Sequence, residues 1–293
     1  MSSRFSGPLF GLAAFVAWGF LPVYWKQLAA VPPFEILCHR IIWSCVFLCL
    51  IISWQHRWEE VRQIVAAPAD MGRLSVSSLL IGGNWLIYIV AVNTGHVVET
   101  SLGYYITPMV NILLGVLLLK ERFSRLQTVA VLCAFAGVVY SLLGYGTLPK
   151  YALSLAFLFA FYGYLRKKTV VAPIPGLLVE TFVLVVPALI YLLYRQIYHG
   201  SPFLVLSWDG ILLIGAGVTT SLPLLWFAAA ARQLQLSTIG ILQYLAPSIA
   251  FLLGVFLYRE PFDQHSQITF ILIWLGVAVY CADALRFNRK VSA

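Results

Sequence analysis

The residues of this sequence that could do chemistry are few, and they lie inside long apolar stretches. In the second stretch, Glu35, His39 and Trp43 follow one another at intervals of four residues, so they would share one face of a helix. Arg40 would lie on the adjoining stripe. An ionisable side chain in a transmembrane helix costs about 3 kcal/mol on insertion scales, so it usually faces a cavity or a partner.

Glu180 is another carboxylate inside an apolar stretch, and two hypotheses account for it. In one, Arg40 forms a fixed ion pair with Glu180 or with Glu35 that joins two helices. In the other, Arg40, which keeps its charge under ordinary conditions, holds an anionic group. His39 and Glu180 would then titrate and couple transport to protons. The sequence leaves both hypotheses open.

Uncharged polar and aromatic side chains form a further group of candidates. Asn84 and Tyr88 share one face of the third apolar stretch, and Tyr104 and Asn111 share one face of the fourth. Amides and phenols near the middle of a membrane suit a ligand that needs hydrogen bonds and aromatic stacking. The same residues could instead bridge neighbouring helices, where each bond contributes about 1 kcal/mol.

No set of residues in the sequence matches an enzyme or a metal site. The five histidines are scattered, and neither an HExxH pattern nor a P-loop occurs. The five cysteines fall in apolar stretches, which argues against a disulfide framework or a CxxC metal site. We therefore expect no enzymatic activity, no cofactor and no metal. The net charge of +8 comes from basic residues between apolar stretches, so we expect no nucleic-acid partner.

The composition indicates that lipid is the solvent for most of the chain. Hydrophobic residues make up 61% of the 293 residues and charged residues 10%, whereas a soluble domain has roughly a quarter charged residues. Apolar stretches of about 20 residues recur, and each is long enough to cross a hydrocarbon core of about 30 Å as a helix. We predict an all-α integral membrane protein with ten transmembrane helices, over residues 8–25, 34–54, 74–94, 100–119, 126–143, 150–166, 176–195, 209–231, 238–258 and 266–286.

The distribution of Lys and Arg predicts the orientation, because basic residues stay in the cytoplasm. If the N-terminus is inside, fourteen of them fall on the cytoplasmic side. Arg40 lies within a helix. Four fall on the opposite side: Lys26, Lys150, Arg195 and Arg259. We therefore expect both termini to be cytoplasmic.

An internal repeat divides the chain. Residues 108–123 match residues 247–262 at eight of sixteen positions with an offset of 139. The sequence therefore predicts two five-helix units, residues 1–147 and 148–293. Because five is odd, the second unit would be inverted relative to the first. Glu121 and Glu260 are identical in the two units, so they are predicted to be structural, whereas Asn84, Tyr88 and Asn111 differ from their counterparts and are better candidates for a site.

Five segments resemble the RarD proteins, chloramphenicol-sensitive proteins of the EamA branch of the drug/metabolite transporter superfamily. They are FEILCHRIIWS (34–44), IGGNWLIYIVAVN (81–93), ETSLGYYITPMVNILLGVLLLKERF (99–123), AFYGYLRKK (160–168) and QLSTIGILQYLAP (235–247). The resemblance extends over essentially the whole chain. It implies a fold of five plus five helices, a location in the cell inner membrane, and the movement of a small metabolite or drug through a central cavity.

These observations together favour a secondary active transporter, expected to be an exporter of a small molecule that works by alternating access. The alternative is a membrane-embedded enzyme or regulator that binds a lipid-soluble ligand without moving it. The predicted partners are a small-molecule substrate and the lipid bilayer. The predicted substrate-binding residues are His39, Arg40, Trp43, Asn84, Tyr88, Tyr104, Asn111 and Glu180.

Overall fold

A computed structural model describes residues 6–94, 96–145, 148–199, 207–258 and 264–292, and these residues contain helices and no strand. A π-helical turn at Leu253–Leu257 follows α11 directly. The α-helices are α1 (Ser6–Lys26), α2 (Pro33–Trp54), α3 (Trp58–Ala66), α4 (Pro68–Asn93), α5 (Val97–Leu119), α6 (Arg125–Tyr145), α7 (Lys150–Lys168), α8 (Pro173–His199), α9 (Trp208–Gln233), α10 (Leu236–Gln243), α11 (Leu245–Leu252) and α12 (Gln264–Ser292).

The predicted all-helical membrane architecture is confirmed, and each of the ten predicted spans falls on helical structure. Eight helical segments in the described part of the chain are long and apolar enough to cross a membrane. These are α1, α2, α4, α5, α6, α8, α9 and the segment Leu236–Leu257. The other two predicted spans correspond to α7, which has four basic residues at its ends, and to α12, whose apolar part is Gln267–Asp283.

The ninth predicted span is a broken helix. α10 ends at Gln243 and α11 begins at Leu245, so the chain is interrupted at Tyr244. Pro247 lies in α11 and has no N–H to donate to the carbonyl of Gln243, which explains a break at this position. Pro108, its predicted counterpart, lies within the continuous helix α5.

Helix α3 is a short amphipathic helix between the second and third spans. Val61 and Ile64 are buried, and the helix packs on α4 and α8. Its other faces carry charged residues, including an ion pair of Arg57 with Glu60. The helix is too short to cross a bilayer, so it lies at the end of the bundle.

The spanning helices of the two predicted units interleave. In the first unit, α1 packs on α9 and α11, α2 on α8 and α9, and α4 on α7 and α8. Likewise, α5 packs on α7 and α10, and α6 packs on α12. Each of these helices therefore packs mainly on helices from the other unit. The predicted division at residue 147 falls on residues 146–147, which lie outside the described residues.

Two close contacts position α2 and α10. A Cβ atom on Gly217 of α9 would clash with the backbone of Trp43, so the backbones of α2 and α9 are in direct contact here. Glu121, which follows α5, accepts hydrogen bonds from the backbone N–H groups of Leu236 (2.7 Å) and Ser237 (3.0 Å) at the start of α10. A carboxylate at a helix N-terminus satisfies free N–H groups, so the predicted structural role of Glu121 is confirmed. Glu260 lies outside the described residues.

Candidate functional site

The structure distributes the predicted site residues over two main places in the bundle. The first, which we call the Arg40 site, is formed by α1, α2, α4, α5 and α9. It consists of Trp25, Arg40, Trp85, Tyr88, Tyr104 and Thr220. The second, which we call the Glu180 cluster, is formed by α4, α7 and α8. It consists of Ser77, Ser78, Arg166 and Glu180.

Arg40 contacts two tryptophans. Its guanidinium carbon lies 4.9 Å from the ring centroid of Trp25 and 5.0 Å from that of Trp85. Its Nε donates a hydrogen bond of 2.9 Å to Oγ1 of Thr220 on α9. Cation–π contacts with indole rings stabilise a guanidinium by about 0.5–2 kcal/mol each, and more when water is excluded. Three helices besides α2 therefore fix the position of this charge.

Within the part of the chain that the structure describes, Arg40 has no carboxylate partner. Glu35 instead forms an ion pair with Arg195 of α8 at 3.3 Å, and Glu180 forms one with Arg166 of α7 at 3.4 Å. Both ion pairs considered for Arg40 from the sequence are therefore wrong. The guanidinium of Arg40 instead contacts aromatic rings and a hydroxyl group, which carry no net negative charge.

Tyr88 and Tyr104 lie beside Arg40. Their ring centroids are 6.4 Å apart, and both hydroxyl groups are close enough to interact electrostatically with the guanidinium. Tyr88 is 38% exposed and Tyr104 is 50% exposed. Neither hydroxyl makes a hydrogen bond with a described residue. The two rings therefore keep uncovered surface next to a charged group.

His39 and Trp43 lie on α2 on either side of Arg40 in the sequence. His39 is buried and interacts electrostatically with Glu35 one turn earlier. The backbone of Trp43 is pressed against Gly217, and the Oγ of Ser44 donates to the carbonyl oxygen of Gly217 at 3.1 Å. This part of α2 is thereby fixed against α9.

The two asparagines connect helices. Nδ2 of Asn84 on α4 donates to the carbonyl oxygen of Leu155 on α7 at 2.8 Å. Nδ2 of Asn111 on α5 donates to Oε1 of Gln243 on α10 at 2.7 Å, and Asn111 is fully buried. Hydrogen bonds of this kind join transmembrane helices where no hydrophobic effect drives their association.

Glu180 belongs to a buried polar network. Its side chain and that of Arg166 are each 1% exposed. The Oγ of Ser77 donates to Glu180 Oε1, and the Oγ of Ser78 donates to the main-chain oxygen of Glu180 at 2.7 Å. A Cβ atom on Gly176 would lie 2.6 Å from Nη1 of Arg166, so the glycine makes room for the guanidinium. This network joins α4, α7 and α8.

Sequence reasoning missed several residues of these two places. Arg166 precedes Lys167 and Lys168, and a run of three basic residues is typical of an exposed helix end, whereas Arg166 is buried. The signal in the sequence that points to Arg166 is Glu180, because a carboxylate inside an apolar stretch requires a cation nearby. Trp25, Trp85 and Thr220 join the Arg40 site from three other helices, and no spacing in the sequence relates them to Arg40.

An aromatic cluster lies between α1, α7 and α9. Neighbouring rings of the cluster have centroids 5.3–6.1 Å apart. Tyr162 and Phe227 are stacked with an interplanar angle of 15° and are both fully buried. The rings therefore pack closely where the three helices meet. The members of the cluster are Phe15, Trp18, Phe159, Tyr162 and Phe227.

In the described ranges, no group of three or more His, Cys, Asp or Glu side chains could hold a metal ion. The Arg40 site supplies N–H and O–H donors and aromatic faces. It is therefore suited to bind a molecule, and we find no nucleophile paired with a general base among its residues.

The Arg166–Glu180 ion pair gives a stability prediction. Glu180→Gln leaves a buried guanidinium without its counter-charge, and breaking a buried pair in this way costs about 3–5 kcal/mol. We expect a clearly lower melting temperature for the purified protein in detergent. Glu60→Gln is the matched control, because Glu60 pairs with Arg57 on α3 but is 42% exposed. An exposed pair contributes about 0–1 kcal/mol, so the control should melt close to the wild type.

The double variant Arg166→Met/Glu180→Leu removes both charges together. It should be less destabilised than Glu180→Gln, because no unpaired charge is left in the bundle. A Glu180→Gln variant as stable as Glu60→Gln would contradict a structural role for this pair.

Comparisons with known proteins agree with this architecture. The EamA-like transporter family matches residues 5–143 and 150–281. Protein RarD of Salmonella typhi is 44% identical over 288 residues, which cover 97% of each chain. The uncharacterized transporter YojE of Bacillus subtilis is 43% identical over 97% of this chain and 96% of its own.

A further relative and a solved structure are similar to this chain at lower sequence identity. The chloramphenicol-sensitive protein RarD of Pseudomonas aeruginosa is 29% identical over 97% of this chain and 96% of its own. A solved crystal structure superposes with a TM-score of 0.73, at 21% identity, over 95% of this chain and 98% of the other, which shows a shared fold. The chain belongs to the EamA-like transporter family, as a relative of the RarD proteins.

Proposed function

We propose that this membrane transporter is a secondary active exporter of a small molecule, and that the substrate binds at the Arg40 site. The observation that carries the proposal is Arg40 itself. It is a permanent charge in a transmembrane helix, without a carboxylate among the described residues, beside two tyrosines with uncovered surface. A charge that is expensive to place in a membrane and is not paired by the protein marks a substrate pathway.

The proposed architecture is a bundle of ten helices in two inverted units, residues 1–147 and 148–293. The family match falls on two separate ranges, one in each unit. Tyr105 and Tyr244, which differ by the repeat offset of 139 residues, are in contact through a hydrogen bond of 3.4 Å. Trp18 of α1 and Phe159 of α7 differ by 141 residues, within two of that offset, and their rings are 5.7 Å apart. Contacts between equivalent residues support an axis that relates the two units.

In the proposed inverted arrangement, the Arg40 site and the Glu180 cluster lie on opposite sides of the membrane. Arg40 and Glu180 each lie seven residues beyond the proline that begins their helix, Pro33 and Pro173. At 1.5 Å per residue, each is about 10 Å from that helix end. With the N-terminus in the cytoplasm, the start of α2 is outside and the start of α8 is inside. The Arg40 site then lies nearer the outer face, and the Glu180 cluster nearer the cytoplasm.

This placement describes one state of an alternating-access cycle. The Arg40 site has uncovered aromatic surface on the outer side, and the aromatic cluster fills the space between α1, α7 and α9 towards the cytoplasm. We therefore propose that the structure is open to the outside. In the opposite state the aromatic cluster would separate and the tyrosines of the Arg40 site would be covered.

The other predicted site residues have supporting roles in this proposal. Asn84, Asn111 and Trp43 hold helices at the border of the site. Glu180 holds the cytoplasmic side together through Arg166. Proton coupling through His39 and Glu180 stays a prediction, and the Arg166–Glu180 pair favours the structural hypothesis for Glu180.

Thiol labelling tests the side on which the site opens. In a background without the five native cysteines, Tyr104→Cys should react with a membrane-impermeant maleimide added to intact cells. Leu117→Cys on the same helix is the matched control. Leu117 is 64% exposed in the isolated bundle, but the proposal places it at the cytoplasmic end of α5, which a membrane-impermeant reagent does not reach in intact cells. Labelling of Tyr104→Cys only after the cells are permeabilised would contradict the proposed orientation of the site.

Export is tested by mass spectrometry of the medium of cells that produce the chain. Wild-type cells should accumulate at least one metabolite outside that cells producing Arg40→Gln do not. Arg73→Gln is the control, because Arg73 forms a solvent-exposed pair with Asp70 and should behave as the wild type. Equal extracellular metabolites in all strains would favour the alternative function, a membrane regulator or enzyme that binds a ligand without moving it.

A further inference from the structure

We infer that the substrate of the Arg40 site is an organic anion, a carboxylate attached to a flat apolar group, and neither a zwitterion nor a cation. This inference rests on the proposed function and adds the chemical class of the substrate. It follows from the charge, the hydrogen-bonding groups and the shape of the Arg40 site.

The site has an uncompensated positive charge. On α2, the carboxylate near Arg40 is Glu35, which pairs with Arg195 on α8. The neighbouring elements contribute indole rings from α1 and α4, phenols from α4 and α5, and a hydroxyl from α9. His39 is the nearest titratable neighbour on α2, and it can add positive charge but no negative charge. A bound anion would neutralise the site.

The guanidinium presents its edge to a ligand. Its central carbon lies 4.9 Å from the ring centroid of Trp25 and 5.0 Å from that of Trp85, and its Nε is bonded to Thr220. The terminal nitrogens Nη1 and Nη2 make no hydrogen bond with a described residue. A guanidinium binds a carboxylate through parallel N–H···O bonds at such an edge. A guanidinium that contacts two indoles and donates to a hydroxyl is also restricted in rotation, which favours this geometry.

The hydrogen-bonding groups of the site are mainly donors. Arginine has donors and no acceptor, and the hydroxyl groups of Tyr88 and Tyr104 are free to donate, since no described residue accepts from them. Thr220 Oγ1 already accepts from Arg40. A ligand rich in acceptors satisfies these donors, whereas an ammonium group would find no carboxylate at the site. The inference therefore excludes amino-acid zwitterions as the preferred substrate.

The remaining surface of the site is aromatic. Two indoles and two phenols offer flat faces, and Tyr88 and Tyr104 keep 38% and 50% of their surface uncovered. Aromatic faces pack against a flat apolar group by stacking or edge contacts. The anionic end would thus bind Arg40, and the apolar body would lie against the tyrosine rings.

Three probes of nearly equal shape test the inference. They are 3-phenylpropanoate, which is an anion, 3-phenylpropanamide, which is neutral, and phenylalanine, which is a zwitterion. We expect 3-phenylpropanoate to raise the melting temperature of the full-length protein in detergent, because a ligand that binds the native state stabilises it. The amide and phenylalanine should bind at least about tenfold more weakly, as loss of a charged hydrogen-bonded pair predicts. Propanoate and inorganic phosphate, which lack the ring, should also bind weakly.

Variants of Arg40 show whether the binding depends on this residue. Arg40→Gln should abolish the shift caused by 3-phenylpropanoate, and Arg40→Lys should retain a weaker one, because lysine keeps the charge without the planar edge. Arg73→Gln should respond as the wild type. The inference is overturned if the wild type does not bind 3-phenylpropanoate, if the amide or phenylalanine binds as tightly, or if Arg40→Gln binds it unchanged.

The outcome is separable from that of the proposed function. Binding that depends on Arg40, with no metabolite exported by cells, would reject the exporter and support the anion site. Export of metabolites that are neutral or cationic would support the exporter and reject the anion site.

Discussion

Lipid cannot solvate a charge or a free backbone group, and this constraint explains the polar contacts that the spanning helices make with one another. Where the described structure places a carboxylate inside the bundle, a cation from another helix accompanies it: Arg195 for Glu35 and Arg166 for Glu180. Arg40 differs, because its partners are indole rings and a hydroxyl. The protein fixes this charge in position without neutralising it, and the function that we propose depends on that difference.

The same constraint determines how the helices associate. Apolar side chains gain little from leaving lipid for another helix, so close approach and hydrogen bonds between helices supply the specificity. Gly217 lets α2 and α9 meet at their backbones, and these are the two helices that contribute Arg40 and Thr220. Asn84 and Asn111 bridge helices that border the same region. The packing that forms the bundle is therefore also the packing that forms the site.

The sequence predicts the helices because their length and apolar character are local properties, and each predicted span falls on helical structure, although the ninth is broken at Tyr244. It also indicates Arg40, Tyr88 and Tyr104 as candidate site residues, because such side chains are few inside the apolar stretches and their spacing places them on shared helix faces. It cannot predict which partners these residues meet, since Trp25, Trp85 and Thr220 come from helices far apart in the chain. Nor can it show that Arg166 turns inward while Lys168, two residues on, does not, because that depends on the space beside Gly176.

The central claim is that Arg40 binds an anion that the protein then carries across the membrane. Flux of 3-phenylpropanoate from proteoliposomes, with the membrane potential set by a potassium gradient and an ionophore, tests it most directly. An inside-negative potential moves anions outward, with about 2.3 kcal/mol per charge for each 100 mV. We predict efflux that is faster at inside-negative potential with the wild-type protein and absent with Arg40→Gln. Efflux that is the same in liposomes without protein, or unchanged by Arg40→Gln, would contradict the claim.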